Sequence, residues 1–202
     1  MKIKTFVTGA LYTCSYLLED KQEAILIDCG GNPKPILTYL GENNLKLKHI
    51  LITHGHGDHI HGLNQIRETT KADIGIHKKD VIALTHAFNL SLTNAEAVKE
   101  DFHFKEGDII KLNDLEIKII DTPGHTPGGV CLYLEKEKVL FTGDTLFKHG
   151  IGRDDFPGGN WEHLQSSLTK ILSLDPKIKI YPGHGDSSTI GAEKKFLSKH
   201  MN

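Results

Sequence analysis

Long hydrophobic runs are missing from this 202-residue sequence. No stretch approaches the roughly 18–20 apolar residues that a membrane-spanning helix needs. Cysteine is scarce: Cys14, Cys29 and Cys131 are odd in number, scattered and without CxxC spacing. That excludes a disulfide scaffold and predicts buried free thiols in a reducing cytoplasm. An excess of charge of one sign is absent as well, since 24 basic residues face 26 acidic ones for a net charge of −2. Such a balance gives no sign of a surface for nucleic acid or for an anionic membrane, and neither is expected as a partner. The N-terminus carries two lysines and then apolar residues, but it has no continuous apolar centre. It reaches Glu19-Asp20-Lys21 without a small-residue cleavage pattern, so it reads as strands of the mature protein rather than a leader.

What is there fits a globular chain, with 38% hydrophobic and 25% charged residues. No linker, low-complexity tract or fixed-period repeat interrupts it, and its length suits one domain over residues 1–202. Strands are expected at Lys2–Val7, Cys14–Leu18, Ala24–Asp28, Leu47–Thr53 and Ala72–Ile76. Asn32-Pro33-Lys34-Pro35 opens a helix with Ile36, Leu37 and Leu40, which Gly41 closes. A second helix carries Ile60, Leu63 and Ile66, and the capping-box pattern Thr93-Asn94-Ala95-Glu96 predicts a short one over Asn94–Glu100. Strand patterns then dominate at Ile109–Leu112, Leu115–Ile120, Gly129–Leu134 and Lys138–Phe141. A helix over Trp161–Leu172, a strand at Lys177–Tyr181 and one last helix complete the chain. Strands outnumber helices and helices occur in both halves, which favours sheets packed face to face with helices outside.

Histidine is abundant, at 13. Three imidazoles and a carboxylate crowd into Thr53-His54-Gly55-His56-Gly57-Asp58-His59, between an apolar strand and an amphipathic helix. The two glycines are expected to let the backbone turn tightly, so that alternate side chains converge. An N/O donor set of this kind suits a borderline cation such as zinc. Three further candidates follow, each at a predicted strand end and wrapped in glycine or proline: His125 in Thr122-Pro123-Gly124-His125, Asp144 in Thr142-Gly143-Asp144, and His184 in Tyr181-Pro182-Gly183-His184. Polar side chains presented by strand-end turns are where sites get built. Taken singly, Asp58 would be a helix N-cap and Asp144 a turn residue. His49, His61, His77, His86, His103, His149, His163 and His200 lie outside the pattern and read as ordinary surface or hydrogen-bonded histidines.

Taken in order, THGHGDH, TPGHTPG, TGDTLF and YPGHG resemble the metallo-β-lactamase superfamily over nearly the whole chain. The resemblance implies an α+β fold, the αββα sandwich of two mixed sheets face to face with helices outside. It implies two divalent metal ions, zinc foremost, with iron or manganese compatible. One would be held by His54, His56 and His125, the other by Asp58, His59 and His184, with Asp144 bridging both and Asp58 also orienting a metal-bridging hydroxide. The segments Gly143–Phe147, Gly150–Gly159 and Gly183-His184-Gly185, the last followed by Glu193-Lys194, resemble the glyoxalase II (hydroxyacylglutathione hydrolase) branch, in a short form without its C-terminal helical domain. That branch implies hydrolysis of a small-molecule thioester such as S-lactoylglutathione. Arg153 falls where a basic residue contacts the glutathione carboxylate; an ion pair with Asp154 or Asp155 is the other use for it. A different class, the persulfide dioxygenases, would hold a single iron on His54, His125 and Asp144. A non-catalytic metal-binding module is a third.

Overall fold

Near-continuous apolar runs in the first hundred residues build a mixed sheet of six strands: β1 (Lys2–Thr8), β2 (Thr13–Asp20), β3 (Glu23–Ile27), β4 (Lys46–Leu51), β5 (Asp73–His77) and β6 (Phe102–Phe104). They lie side by side in chain order. β1, β2 and β3 pair antiparallel with one another, whereas β4, β5 and β6 add in parallel from β3 onward. Parallel strands need crossovers, and helices α1 (Lys34–Glu42), α2 (Gly57–Ile60), α3 (Leu63–Thr70) and α4 (Ala87–Thr93) lie in those connections, with a 3-10 turn over Lys78–Leu84. β2 and β3 are buried almost throughout, as expected of strands covered on both faces. Ile36 and Leu40 from α1 and Leu63 and Ile66 from α3 join Leu26, Ile50 and Ile74 in one core.

This structure, a computed structural model, describes residues 1–200, which form two units. The first comprises Met1–Phe104 with Lys111–Leu115, and the second Lys105–Ile110 with residues 116–200. The second sheet has the order β14-β13-β10-β9-β8-β7, from β7 (Ile109–Leu112), β8 (Leu115–Asp121), β9 (Val130–Leu134), β10 (Val139–Gly143), β13 (Lys179–Pro182) and β14 (Ser188–Thr189). A small ribbon of β11 (Leu146–Phe147) and β12 (Gly150–Ile151) follows β10. Helix α5 (Trp161–Leu172) starts where Asn160 caps it through its side chain, which accepts from the His163 N–H at 2.9 Å. Its buried stripe, Leu164, Leu168 and Ile171, meets Ile180, Leu140 and Leu197 of α6 (Ile190–His200) in a second core.

Three local expectations differ from what is found. Gly41 does not end α1; the helix runs on to Glu42, and the chain reverses at Asn44 with φ of 50°. The helix expected through Ile60, Leu63 and Ile66 is broken at His61-Gly62 into α2 and α3. Thr93–Glu96 does not start a helix but finishes one. Asn94 adopts the left-handed conformation (φ of 56°) at the C-cap of α4, which asparagine tolerates better than most residues, and returns its N–H to Leu90.

Cys14, Cys29 and Cys131 are free and buried. Burial pushes the thiols of Cys29 and Cys131 up to about 12, far above the working range of a thiolate nucleophile. All three thiols should therefore resist labelling by iodoacetamide at pH 8 in the native protein and become available in denaturant, read by mass spectrometry. Replacing Ile50, fully buried in the first core, by alanine should cost about 2–5 kcal/mol of unfolding free energy, read from urea denaturation.

Candidate metal centre

In the first unit, β4 delivers the chain into a loop whose backbone is clamped from below. The Gly55 N–H donates to Asp80 Oδ2 at 2.9 Å and the Gly57 N–H to Asn89 Oδ1 at 2.9 Å, while Asn89 Nδ2 donates back to the Gly55 carbonyl. Asp80 and Asn89 are both buried. The glycines are not there for turning, since neither has a positive φ. They are there for closeness: a Cβ on Gly57 would lie 2.3 Å from Thr93 Oγ1 and 2.7 Å from the Asn89 carbonyl. On this clamped loop His54, His56, Asp58 and His59 gather, with the ring of His54 centred 4.8 Å from that of His56 and 4.1 Å from that of His59.

A residue that the sequence did not single out organises the group. Asp28, buried to 1% exposure just past β3, accepts from the Thr53 N–H at 2.8 Å and the Thr53 hydroxyl at 2.7 Å. Its Oδ2 also meets His59 Nδ1 at 2.8 Å. A carboxylate on one imidazole nitrogen fixes the tautomer and turns the other nitrogen into a metal ligand. The available signal was a lone acid closing an apolar strand ahead of Cys29-Gly30-Gly31, where a charge has to find partners.

In the second unit the parallel pair β10 and β13 ends at the same edge, with Gly143 opposite Pro182 and the Gly183 N–H donating to the Gly143 carbonyl at 2.8 Å. Asp144 follows the end of β10 directly, and His184 lies two residues past the end of β13. His125 comes from the turn after β8; its Nδ1 pairs with the Arg153 carbonyl at 2.6 Å, which leaves Nε2 as the donor atom. The chain returns past them at Gly152 so closely that a Cβ there would fall 1.8 Å from the Asp144 carbonyl.

The donor spacing in both groups fits a cation. Two ligand atoms about 2.1 Å from one tetrahedral ion lie about 3.4 Å apart. His59 Nε2 is 3.6 Å from Asp58 Oδ2, His125 Nε2 is 3.6 Å from Asp144 Oδ2, and His184 Nε2 is 3.5 Å from Asp144 Oδ2. These gaps exceed a hydrogen bond and match two ligands of a common ion. The first unit thus brings together His54, His56, Asp58 and His59, and the second His125, Asp144 and His184.

Arg153 is placed differently from a free anion receptor. Its guanidinium grips Asp155 through two bonds of 2.6 and 2.8 Å and lies 3.8 Å above the Phe156 ring. The hydrogen bond from Arg153 holds the Asp155 carboxyl below the usual range. Of the histidines outside the pattern, His61 bonds the Thr93 carbonyl, His103 meets Glu100, and His149 and His200 stack on either side of Phe196.

The fold and the donors define a metal-binding hydrolase of α/β sandwich architecture, and the chain belongs to the metallo-β-lactamase superfamily, whose family model matches residues 8–184. Within it, the chain is 40% identical to hydroxyacylglutathione hydrolase GloC of Haemophilus influenzae, over 94% of this chain and 92% of that one. The solved BLEG-1 B3 metallo-beta-lactamase superposes with a TM-score of 0.90 at 34% identity, covering 96% of this chain and 97% of that one. TTHA1623, solved in a di-iron-bound form, gives a TM-score of 0.86 at 29% identity over 96% and 98% of the two chains. Among the described residues no helix is long and apolar enough to cross a membrane.

Because Asp28 sets the His59 tautomer, Asp28→Asn should weaken metal binding about 10–100-fold in a chelator competition, with the far-UV circular dichroism unchanged.

Proposed function

We propose that the two donor groups act together as a dinuclear centre that hydrolyses the thioester of a hydroxyacyl-glutathione, S-lactoylglutathione foremost. The observation that carries this reading is the set of 3.5–3.6 Å donor separations found in both groups, with His59 and His125 each bonded at Nδ1 and left with Nε2 to ligate. The family match running from residue 8 to residue 184 supports the whole chain working as one domain. The Haemophilus hydroxyacylglutathione hydrolase supports the substrate, and the di-iron form of TTHA1623 supports two metals.

In this reading His54, His56 and His125 would hold one ion, Asp58, His59 and His184 would hold the other, and Asp144 would serve both. Bound divalent cations supply a water acidic enough to ionise near pH 7 and a Lewis acid for the carbonyl oxygen. The protein's part is to keep the donors fixed. Asp28 locks His59, the Arg153 carbonyl locks His125, and the Asp80–Asn89 clamp stops the histidine loop from relaxing. Asp58 orients the attacking water. In the overall reaction water adds its oxygen to the acyl carbon, the C–S bond breaks, and the proton released ends on the carrier thiol. Arg153 contributes to substrate binding only by exchanging Asp155 for a substrate carboxylate.

Asp144→Ala should lose bound metal, read by elemental analysis, together with turnover of S-lactoylglutathione. A variant that keeps two metals per chain and full turnover removes Asp144 from the bridge. One iron per chain, with oxygen uptake on glutathione persulfide and no thioester cleavage, would replace the hydrolase with the dioxygenase reading.

A further inference from the structure

In the second unit three hydroxyls and a thiol lie together beside the turn that carries Asp144. Thr122, Thr142 and Cys131 are fully buried, and Thr145 is nearly so. The Thr145 hydroxyl meets that of Thr122 at 3.0 Å, and Thr122 Oγ1 meets Cys131 Sγ at 3.6 Å. The Cys131 thiol donates to the Thr142 carbonyl at 3.8 Å, and the Thr145 N–H donates to the same carbonyl at 3.0 Å. The four groups therefore close a ring. Each hydroxyl and thiol has one proton to give, which settles its direction. The thiol proton goes to a carbonyl, so Thr122 donates to the sulfur and Thr145 donates to Thr122. Sulfur makes the weak links of the ring; the hydroxyl pair and the backbone bond are its strong ones.

This ring joins two turns that each present a candidate donor. Thr142 and Thr145 are the first and last residues of the Asp144 turn, and Gly143 supplies its left-handed corner at φ of 47°. His125 lies three residues past Thr122 in the other turn, whose outer side is fastened to α5. There the Ser167 hydroxyl donates to the Pro123 carbonyl at 2.7 Å, and the Asn160 N–H to the Gly124 carbonyl at 2.8 Å. The Thr145–Thr122 bond links the Asp144 turn to this anchored one. Apolar side chains of similar shape would fill the same space without desolvating hydroxyls, so packing alone does not call for them.

We infer that the ring sets the Asp144 carboxylate against the His125 imidazole, which makes Thr145, Thr122 and Cys131 positioning residues for the cation those two donors share. The inference rests on the reading that His125 and Asp144 ligate a common ion. The 3.6 Å between His125 Nε2 and Asp144 Oδ2 is then a distance that the ring maintains. Ligand constellations have to be held to within about 0.5 Å, and outer groups that brace the ligands supply that precision.

The test loads the full chain with Co2+, whose visible ligand-field bands report coordination geometry, and measures affinity by chelator competition. Thr145→Val keeps the shape and removes the proton, and Thr145→Ser keeps the proton and removes a methyl group. Thr145→Val should weaken Co2+ binding about three- to tenfold, the worth of one net hydrogen bond, and shift the bands. Thr145→Ser should retain the wild-type affinity and bands although it lowers the melting temperature of the metal-free protein. Thr169→Val, which removes an exposed hydroxyl of α5 bonded to the Gln165 carbonyl, should change neither affinity nor bands. A role in packing alone reverses the order, with Thr145→Ser impaired as much as Thr145→Val or more, and overturns the inference. So does a Thr145→Val protein with wild-type affinity and bands when Asp144→Ala binds Co2+ weakly; the shared ion then stands without the ring. If Asp144→Ala also binds as the wild type does, the shared ion itself fails and the ring's role goes with it.

Discussion

A buried carboxylate that must find partners organises the candidate donors of the first unit. Asp28 sits at the end of a strand with no apolar alternative for its charge, and leaving it unpaired in the core would cost several kcal/mol. It finds three partners, all from the histidine loop or its helix: the Thr53 backbone, the Thr53 hydroxyl and His59. That arrangement does two things at once. It ties the exit of β4 to the exit of β3, and it removes one nitrogen of His59 from the choice of ligand atoms. The left-handed backbone at Asp28, with φ of 55°, is the local strain that aiming the carboxylate there entails.

The second unit positions its candidate donors by another route. There the positioning comes from two adjacent parallel strands, β10 and β13, whose register shifts between Phe141 and Gly143 and whose ends are stitched by one backbone bond, so that Asp144 and His184 leave the sheet as neighbours. Ligands at the carboxyl ends of parallel strands are a general solution in α/β sheets, because the strands aim the following residues in one direction and the loops are free to vary. His125 is then fixed by a backbone carbonyl rather than a carboxylate, which sets the tautomer without adding charge. Glu193, fully buried, holds the flank by accepting from the His149 N–H and from the Ser188 hydroxyl, linking the ribbon after Asp144 to the segment after His184.

Much of this was legible from residue order. Trp161–Leu172 is the helix that its Leu164, Leu168 and Ile171 spacing describes, and the strand-end position of each donor follows from the apolar run before it. Where the reading went astray, the physics was local. Thr93-Asn94-Ala95-Glu96 has the letters of a helix start, but Asn94 is just as suited to a left-handed helix end, and Ala95 already bonds back to Leu90. Gly55 and Gly57 look like flexible joints and are instead close-approach sites, because the residues that crowd them, Asp80, Ala83, Asn89 and Thr93, lie some 25–40 positions further on.

The sequence by itself determined the donor types, their order and the strand ends that present them, since period, turn residues and ligand chemistry are all local properties of the chain. Only the tertiary structure decided that Asp28 meets Nδ1 of His59, that the Arg153 carbonyl meets Nδ1 of His125, and that Arg153 is spoken for by Asp155. Each of those depends on a partner brought near by folding, and a partner of that kind leaves no mark on the residues beside it in the chain.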